Sequence, residues 1–206
     1  AGMMDCKKAM DEAEGDIEKA IEILRKKGIM KAGKRADKIA AEGTTFVKTS
    51  GDVAVVLEIN SETDFVSKND NFKKLVEEVA DQILSAKPAS VEDLLKQDMG
   101  GKTVDEQIVG LSGTIGEKIT LRRFTLVEKT ASDVFGAYIH MGGRISALVL
   151  LTGATSEDLA KDVAMHVAAM NPRYISRVDV PAEVLEKEKA IYTEQLKTQG
   201  KSPQMR

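Results

Sequence analysis

Residues 53–68, VAVVLEINSETDFVSK, join a strand-like segment to a helical one and decide how the surrounding chain folds. The first five residues are an apolar, β-branched run of the kind that forms a buried strand. The polar run that follows contains Phe65, in a chain with only five Phe, three Tyr and no Trp. A scarce aromatic side chain in a polar segment either folds back into the core or is offered to a partner. Both alternatives are open at this point.

The segments around residues 53–68 predict a hairpin followed by helices. Residues 44–49 and 53–59 are β-rich and are separated by the turn residues Ser50-Gly51-Asp52. A short helix at 91–96, a longer one at 104–116 and a strand at 119–128 are predicted further along. Between the hairpin and Pro88, apolar residues recur at helical spacing, namely Phe72, Leu75, Val76, Val79, Ala80, Ile83 and Leu84.

The same hairpin-plus-helix pattern returns in the second half of the chain. Residues 134–140 and 145–151 are strand-like, and a helix that ends before Pro172 follows them. The helices of the two units match at an offset of 84 residues, as in Leu75 and Leu159, whereas the strands match at 92, as in Val53 and Ile145. The first unit is therefore about eight residues longer, around 61–68. Insertions in repeats are common functional sites, and the repeated unit folds without this one.

Helical segments flank the duplicated core. Residues 3–13 predict one helix, and a second begins after the turn at Gly15-Asp16 and is predicted to end at Gly28. Pro181 opens a charged helix over 182–197. We therefore predict an α+β fold with a small N-terminal helical (UBA-like) module and a duplicated antiparallel sheet-plus-helix core. The predicted boundaries are 1–30 for the module, 31–43 for a basic linker, 44–130 and 131–180 for core subdomains, and 181–206 for the start of a helical hairpin.

Composition and charge narrow the functional classes. The chain has 206 residues, 42% of them apolar and 31% charged, which is enough for one large or two small domains. The net charge of −3 provides no general attraction for nucleic acid. The single cysteine, Cys6, does not support a disulfide framework and is typical of a reducing cytosol. The apolar runs are far shorter than the roughly 20 residues that cross a bilayer.

The sequence carries no recognisable catalytic or cofactor motif. Its only histidines are His140, at the end of a strand beside a glycine pair, and His166, within an apolar helix. Clusters of metal-ligand type, phosphate-binding loops, dinucleotide fingerprints and nucleophile elbows are not found. A bond-making enzyme stays open as an alternative without visible chemistry, and our prediction is a binding protein that is not an enzyme and needs no cofactor.

Four segments resemble the translation elongation factor Ts family. They are 58–68 (EINSETDFVSK), 1–10 (AGMMDCKKAM), 115–119 (IGEKI) followed by Arg122-Arg123, and 164–169 (AMHVAA). They keep the order of the family and are spread over nearly the whole chain. The resemblance implies that the family's first N-terminal helix and its C-terminal part lie outside this sequence.

This resemblance implies a guanine-nucleotide exchange factor for elongation factor Tu that acts in the cytoplasm. It implies that the loop formed by Thr63, Asp64, Phe65 and Val66 enters the GTPase domain of the partner near its magnesium and phosphate site. Ile115 and Gly116 are expected beside that contact, Met3 and Met4 on the same domain, and His140 on a second domain. No direct binding of nucleotide, nucleic acid or membrane is expected.

Two other functions remain as alternatives from the residues alone. An RNA- or ribosome-associated module would use the basic residues of 31–38 together with Arg122-Arg123. The acidic total charge and a lack of exposed aromatics beside basic residues argue against it. A small-molecule enzyme would instead require a pocket of convergent polar groups.

Overall fold

The computed structural model describes residues 3–198, in which helices and antiparallel strands occur in separate runs, as in the predicted α+β class. Two helices open this part of the chain: α1 (Met3–Glu12) and α2 (Ile17–Gly33). The first repeat and its extension follow, as β1 (Glu42–Ser50), β2 (Val53–Ser61), α3 (Asp64–Ser67), α4 (Asp70–Ala86), α5 (Val91–Leu95), α6 (Val104–Ile115) and β3 (Thr120–Glu128). The remaining elements are β4 (Asp133–His140), β5 (Ile145–Thr152), α7 (Glu157–Met170), a 3-10 helix (Arg177–Asp179) and α8 (Ala182–Thr198).

The main core lies between a three-stranded sheet and the helices α4, α5 and α6. The strands are antiparallel in the order β1-β2-β3, and β2 is central. Alternate residues of β2 point into the core because successive strand side chains face opposite sides. These residues pack against one face of α4, where Asn69 caps the helix by accepting the N–H groups of Asn71 and Phe72. The largest buried side chains of this core are Val55, Leu57, Ile59, Phe72, Val79, Ile83, Leu94 and Val104.

The second repeat consists of the hairpin β4–β5 and α7. Gly136 of β4 lets α7 approach closely, since a Cβ at this position would lie only 1.9 Å from the carbonyl oxygen of Ala160. The turn of the hairpin rests on the edge of β1, where the Thr45 N–H donates to the Gly143 carbonyl at 2.7 Å. This repeat connects strand to helix through residues 153–156, whereas the first uses 62–69 and places α3 there. The predicted repeat is thus present, but the connection in the first unit is longer by four residues, whereas the sequence offsets predicted about eight.

The two N-terminal helices pack on each other through small residues, and α2 docks on α6. Ala9, Ala13 and Ala20 form their core, and the Asp16 carboxylate caps α2. The prediction that α2 ends at Gly28 is wrong, because the helix continues to Gly33. Gly28 is instead the point at which α2 meets Gly113 of α6, and the missing side chains allow the two backbones to come close.

The chain divides into two compact units, one that ends at Ala169 and one that starts at Met170. The second contains the 3-10 helix, which Ser176 and Asp179 cap reciprocally, and the charged helix α8. The five ranges predicted as domains remain a prediction, and residues 199–206 of the last range lie outside the described residues. Across the described part of the chain, no helix is both long and apolar enough to span a membrane.

Candidate partner-binding site

Residues 63–68, here called the Phe65 turn, present the phenylalanine to solvent. Phe65 is 76% exposed. The segment was predicted as a loop, but residues Asp64–Ser67 form one helical turn, α3. The turn is closed by the N–H groups of Lys68 and Asn69, which donate to the carbonyls of Phe65 and Val66 at 3.2 and 3.0 Å. The exposed aromatic therefore sits on an ordered support.

Val66 anchors the Phe65 turn from the opposite side. Its side chain is 3% exposed and belongs to the main core, in the same cluster as Phe72. Neighbouring residues of a helical turn point about 100° apart, so an inward Val66 directs Phe65 outward. Val66 was predicted as a partner-binding residue. This needs correction, because a buried side chain is not available to a partner in this conformation.

Three reciprocal hydrogen bonds between the segments 62–63 and 117–118, here called the clasp, fix the backbone at the start of the Phe65 turn. The Glu117 carboxylate accepts the Thr63 N–H at 2.9 Å and the Thr63 hydroxyl at 2.7 Å. In the opposite direction, the Glu62 carboxylate accepts the Lys118 N–H at 2.7 Å. Arg35 adds to the clasp, since its Nη1 lies 2.9 and 3.0 Å from the two oxygens of Glu62. The Lys118 N–H, followed by Arg35, holds the pKa of Glu62 below its usual value.

Asp64 is the acidic residue of the exposed turn. Its carboxylate accepts from Lys68 Nζ at 3.0 Å, and this bond, supported by the charges of Lys68 and Arg144, lowers the pKa of Asp64. The same Lys68 Nζ lies 5.7 Å from the centre of the Phe65 ring, a cation–π distance. The sequence argument that the chain lacks an exposed aromatic beside a basic residue is therefore wrong at this position.

The structure brings Ile115 and Gly116 next to the Phe65 turn. Ile115 ends α6 and packs partly against the main core. Gly116 adopts φ 84°, a left-handed conformation that glycine favours, and its N–H donates to the Ser112 carbonyl. The chain then turns so that Glu117 reaches Thr63, and the Ser112 hydroxyl holds the Glu117 carbonyl at 2.6 Å.

The other predicted site residues lie on different elements. Met3 and Met4, at the start of α1, are 88% and 63% exposed. His140 ends β4 and is exposed, with its Nδ1 2.9 Å from the hydroxyl of Tyr138. All three residues are exposed, but they lie on α1 and β4 and not on α3, the helix that carries Phe65.

The basic pair Arg122-Arg123 is engaged by one carboxylate. Arg122 is the extra residue of a bulge in β3, so both arginines reach Glu58, at 3.0 and 2.8 Å. Although burial works against ionisation of Glu58, hydrogen bonds from Asn60 and the two arginines keep its pKa below the usual value. The charge that the RNA alternative would use is partly neutralised here.

A polar cleft of about 220 Å³ lies between β1 and the turn of the second hairpin. Asn60, on its wall, donates to the Glu42 carbonyl and to Glu58 at 3.0 and 3.1 Å. The Asn60 amide is thus engaged by neighbouring protein groups and does not project free into the cleft. Among residues 3–198, no group of three or more His, Cys, Asp or Glu is placed to hold a metal ion.

Among the residues of the clasp, Thr63 was predicted as a site residue, whereas Glu62, Glu117 and Lys118 were not. Glu62 and Glu117 are each next to a predicted residue, but their partners lie 56 and 54 positions away in the chain, respectively. Charged residues in polar segments carry no signal of such a pairing by themselves. The hint available was that Glu62 and Glu117 lie inside the motif segments 58–68 and 115–119.

The model of the elongation factor Ts family matches residues 62–206. The match covers most of the chain and includes the Phe65 turn, the Ile115-Gly116 segment and His140, while Met3 and Met4 precede it. It confirms the resemblance drawn from the sequence motifs. The chain belongs to the elongation factor Ts family, whose members act in translation elongation as nucleotide-exchange partners of elongation factor Tu.

Proposed function

We propose that this chain releases GDP from elongation factor Tu by inserting the Phe65 turn beside the magnesium and phosphate site of the GTPase domain. The observation that carries the proposal is a large aromatic side chain, 76% exposed, on a turn whose backbone is held from both sides. An aromatic side chain that does not pack in its own core, and that its neighbours hold toward solvent, is suited to a partner's pocket. Its site of action is the cytoplasm, with the rest of translation elongation.

The mechanism requires binding energy and no bond-making group. GDP is held on such a GTPase by backbone N–H groups, a lysine and a magnesium ion. A factor that binds the nucleotide-free conformation more tightly than the GDP-bound one weakens GDP, and GDP weakens the factor by the same ratio. The factor and GDP therefore compete, because each of them favours a different conformation of the same GTPase.

Phe65 supplies the wedge in this competition. An aromatic ring has few rotatable bonds, so little entropy is lost when it enters a pocket. Insertion between elements that hold the magnesium ion would displace them. Asp64, kept ionised by Lys68, can accept hydrogen bonds from donors of the partner.

The remaining predicted residues extend the interface around this wedge. Ile115 and Gly116 adjoin the Phe65 turn through the clasp and would touch the same region of the GTPase domain. Met3 and Met4 offer flexible apolar side chains to that domain. His140, on the second repeat, would contact a second domain of elongation factor Tu.

The test is release of a fluorescent GDP analogue from elongation factor Tu. Replacing Phe65 by Ala should slow release at a saturating concentration of the factor by roughly tenfold or more, since removal of a central aromatic costs about 2 kcal/mol. The release rate with Phe65→Leu, which keeps part of the apolar volume, should fall between the rates with the wild type and with Phe65→Ala. Both variants should unfold at the wild-type temperature because Phe65 is exposed. A normal release rate with saturating Phe65→Ala would refute the wedge.

A further inference from the structure

We infer that Glu117 and Glu62 are positioning residues of nucleotide exchange: they hold the Phe65 turn in the shape that enters the partner. The inference rests on the proposed function of Phe65. It assigns these two carboxylates a role in the rate of exchange, separate from the contacts that provide affinity.

The two carboxylates act on the backbone as a matched pair. Glu117 accepts the N–H of Thr63, and Glu62, the neighbour of Thr63, accepts the N–H of Lys118, the neighbour of Glu117. Two segments distant in sequence are thereby locked in one register. Each bond joins an ionised acceptor to a backbone donor, a type about twice as strong as a neutral hydrogen bond.

The Phe65 turn depends on this support because it cannot hold itself. A helix of one turn is far shorter than the roughly 12 residues at which isolated helices become marginally stable. The residue that precedes it, Thr63, makes no side-chain capping bond to α3 and gives its hydroxyl to Glu117 instead. The other restraints on the turn are the burial of Val66, the bond from the Ser61 hydroxyl to the Thr63 carbonyl at 2.8 Å, and bonds within the turn itself. Among these restraints, the clasp is the one that ties Thr63 to the segment after α6.

The second repeat folds without a counterpart of the clasp in front of its helix. The second repeat connects β5 to α7 in four residues, 153–156, and has no counterpart of α3. In the first repeat the clasp joins the segment in front of α3 to the end of α6. The bonds are placed where they define the direction of Phe65.

The clasp also reaches the segment that follows α2. Arg35 bonds both oxygens of Glu62, and Lys118 Nζ donates to the Ala36 carbonyl. The restraint on the Phe65 turn is thus shared with residues that leave the N-terminal helices.

The test compares Glu117→Ala with Glu117→Gln in the same exchange assay. The glutamine can accept the Thr63 N–H and donate to the Thr63 hydroxyl, so it should preserve the turn. We expect Glu117→Ala to lower the saturating exchange rate roughly tenfold, from the loss of bonds to a charged acceptor. The half-saturating concentration should stay within about twofold, and Glu117→Gln should remain close to the wild type.

A matched control lies at the other end of α6. Glu106 accepts the N–H of Thr103 at 2.9 Å in a capping box, the same chemistry at a helix start. Glu106→Ala should leave the saturating rate unchanged. Hydrogen exchange gives a second readout: the amides of Lys68 and Asn69 should exchange faster in Glu117→Ala, while those of α4 keep their protection.

The double variant with Phe65→Ala separates the possible outcomes. If the clasp acts through Phe65, adding Glu117→Ala to Phe65→Ala should slow exchange little further. Independent multiplication of the two effects, or a wild-type maximal rate for Glu117→Ala beside a slow Phe65→Ala, would overturn the positioning role. A wild-type rate for Phe65→Ala would overturn the proposed function itself, and with it this inference.

Discussion

Gly28 and Gly113 approach each other closely, so the same substitution, Gly to Ala, can be tested on each side of one contact. A Cβ built on Gly113 would lie 2.5 Å from the carbonyl oxygen of Gly28, and 2.7 Å from its carbonyl carbon. These are backbone atoms, which cannot turn aside as a side chain can. A Cβ built on Gly28 would instead lie 3.9 Å from the Gly113 Cα, an ordinary contact. We expect Gly113→Ala to disturb the docking of α2 on α6 and Gly28→Ala to leave it intact.

A third glycine, Gly110, provides the reference for the expected change in stability. Gly110 lies in the same helix as Gly113, and a Cβ there meets nothing within 4 Å. Ala in a helix interior is better than Gly by about 1 kcal/mol, so Gly110→Ala and Gly28→Ala should each stabilise by about this amount. Gly113→Ala has the same gain but adds an overpacking cost of about 1–3 kcal/mol. It should therefore be less stable than Gly110→Ala by about 1–3 kcal/mol.

The assay is urea unfolding followed by far-ultraviolet circular dichroism. The three variants are compared by their midpoints and slopes, and a lower slope for Gly113→Ala would report that the N-terminal helices have left the core before the main transition. Equal stability of Gly113→Ala and Gly110→Ala would refute the reasoning, because it would mean that α2 and α6 do not approach each other as described.

Two further predictions concern the second repeat and the clasp. Gly136→Ala should destabilise the second repeat, because the added Cβ would lie 1.9 Å from the backbone oxygen of Ala160; hydrogen exchange should show weaker protection in α7, and unchanged protection there would contradict this packing. The lowered pKa of Glu62, due first to the Lys118 N–H and then to Arg35, implies a contribution to stability that is complete above the usual value of 4.5 and is lost as the pH falls through the lower value of the folded state. In Glu62→Gln this part of the pH dependence of unfolding should be missing, and identical pH profiles for the wild type and the variant would show that Glu62 does not contribute it.

Local patterns were sufficient for most of the secondary structure. The two hairpins form where turn residues separate β-rich runs, as at Ser50-Gly51-Asp52, because a hairpin depends on neighbours in the chain. The end of α2 could not be predicted in this way. A glycine such as Gly28 is typical of a helix end. Its role here depends on Gly113, which is distant in sequence and adjacent only in the folded chain.

For the candidate site, too, some features could be predicted from the sequence and others depended on the tertiary structure. The motif around Phe65 marks the residue and its family, and the comparison of repeats marks the insertion, all without coordinates. The motif also implied that Thr63, Asp64, Phe65 and Val66 form one partner-binding loop. The structure separates them, since Val66 enters the core while Phe65 faces solvent.

The sequence by itself determined the α+β class, the family and the position of the exposed aromatic, because these depend on residue types and on spacings along the chain. Only the tertiary structure decided which way the aromatic points and what holds it there. The direction of a side chain on a single helical turn follows the orientation of its backbone. Here that orientation depends on Val66 in the core and on the bonds between Glu62–Thr63 and Glu117–Lys118, and folding alone brings these two pairs together.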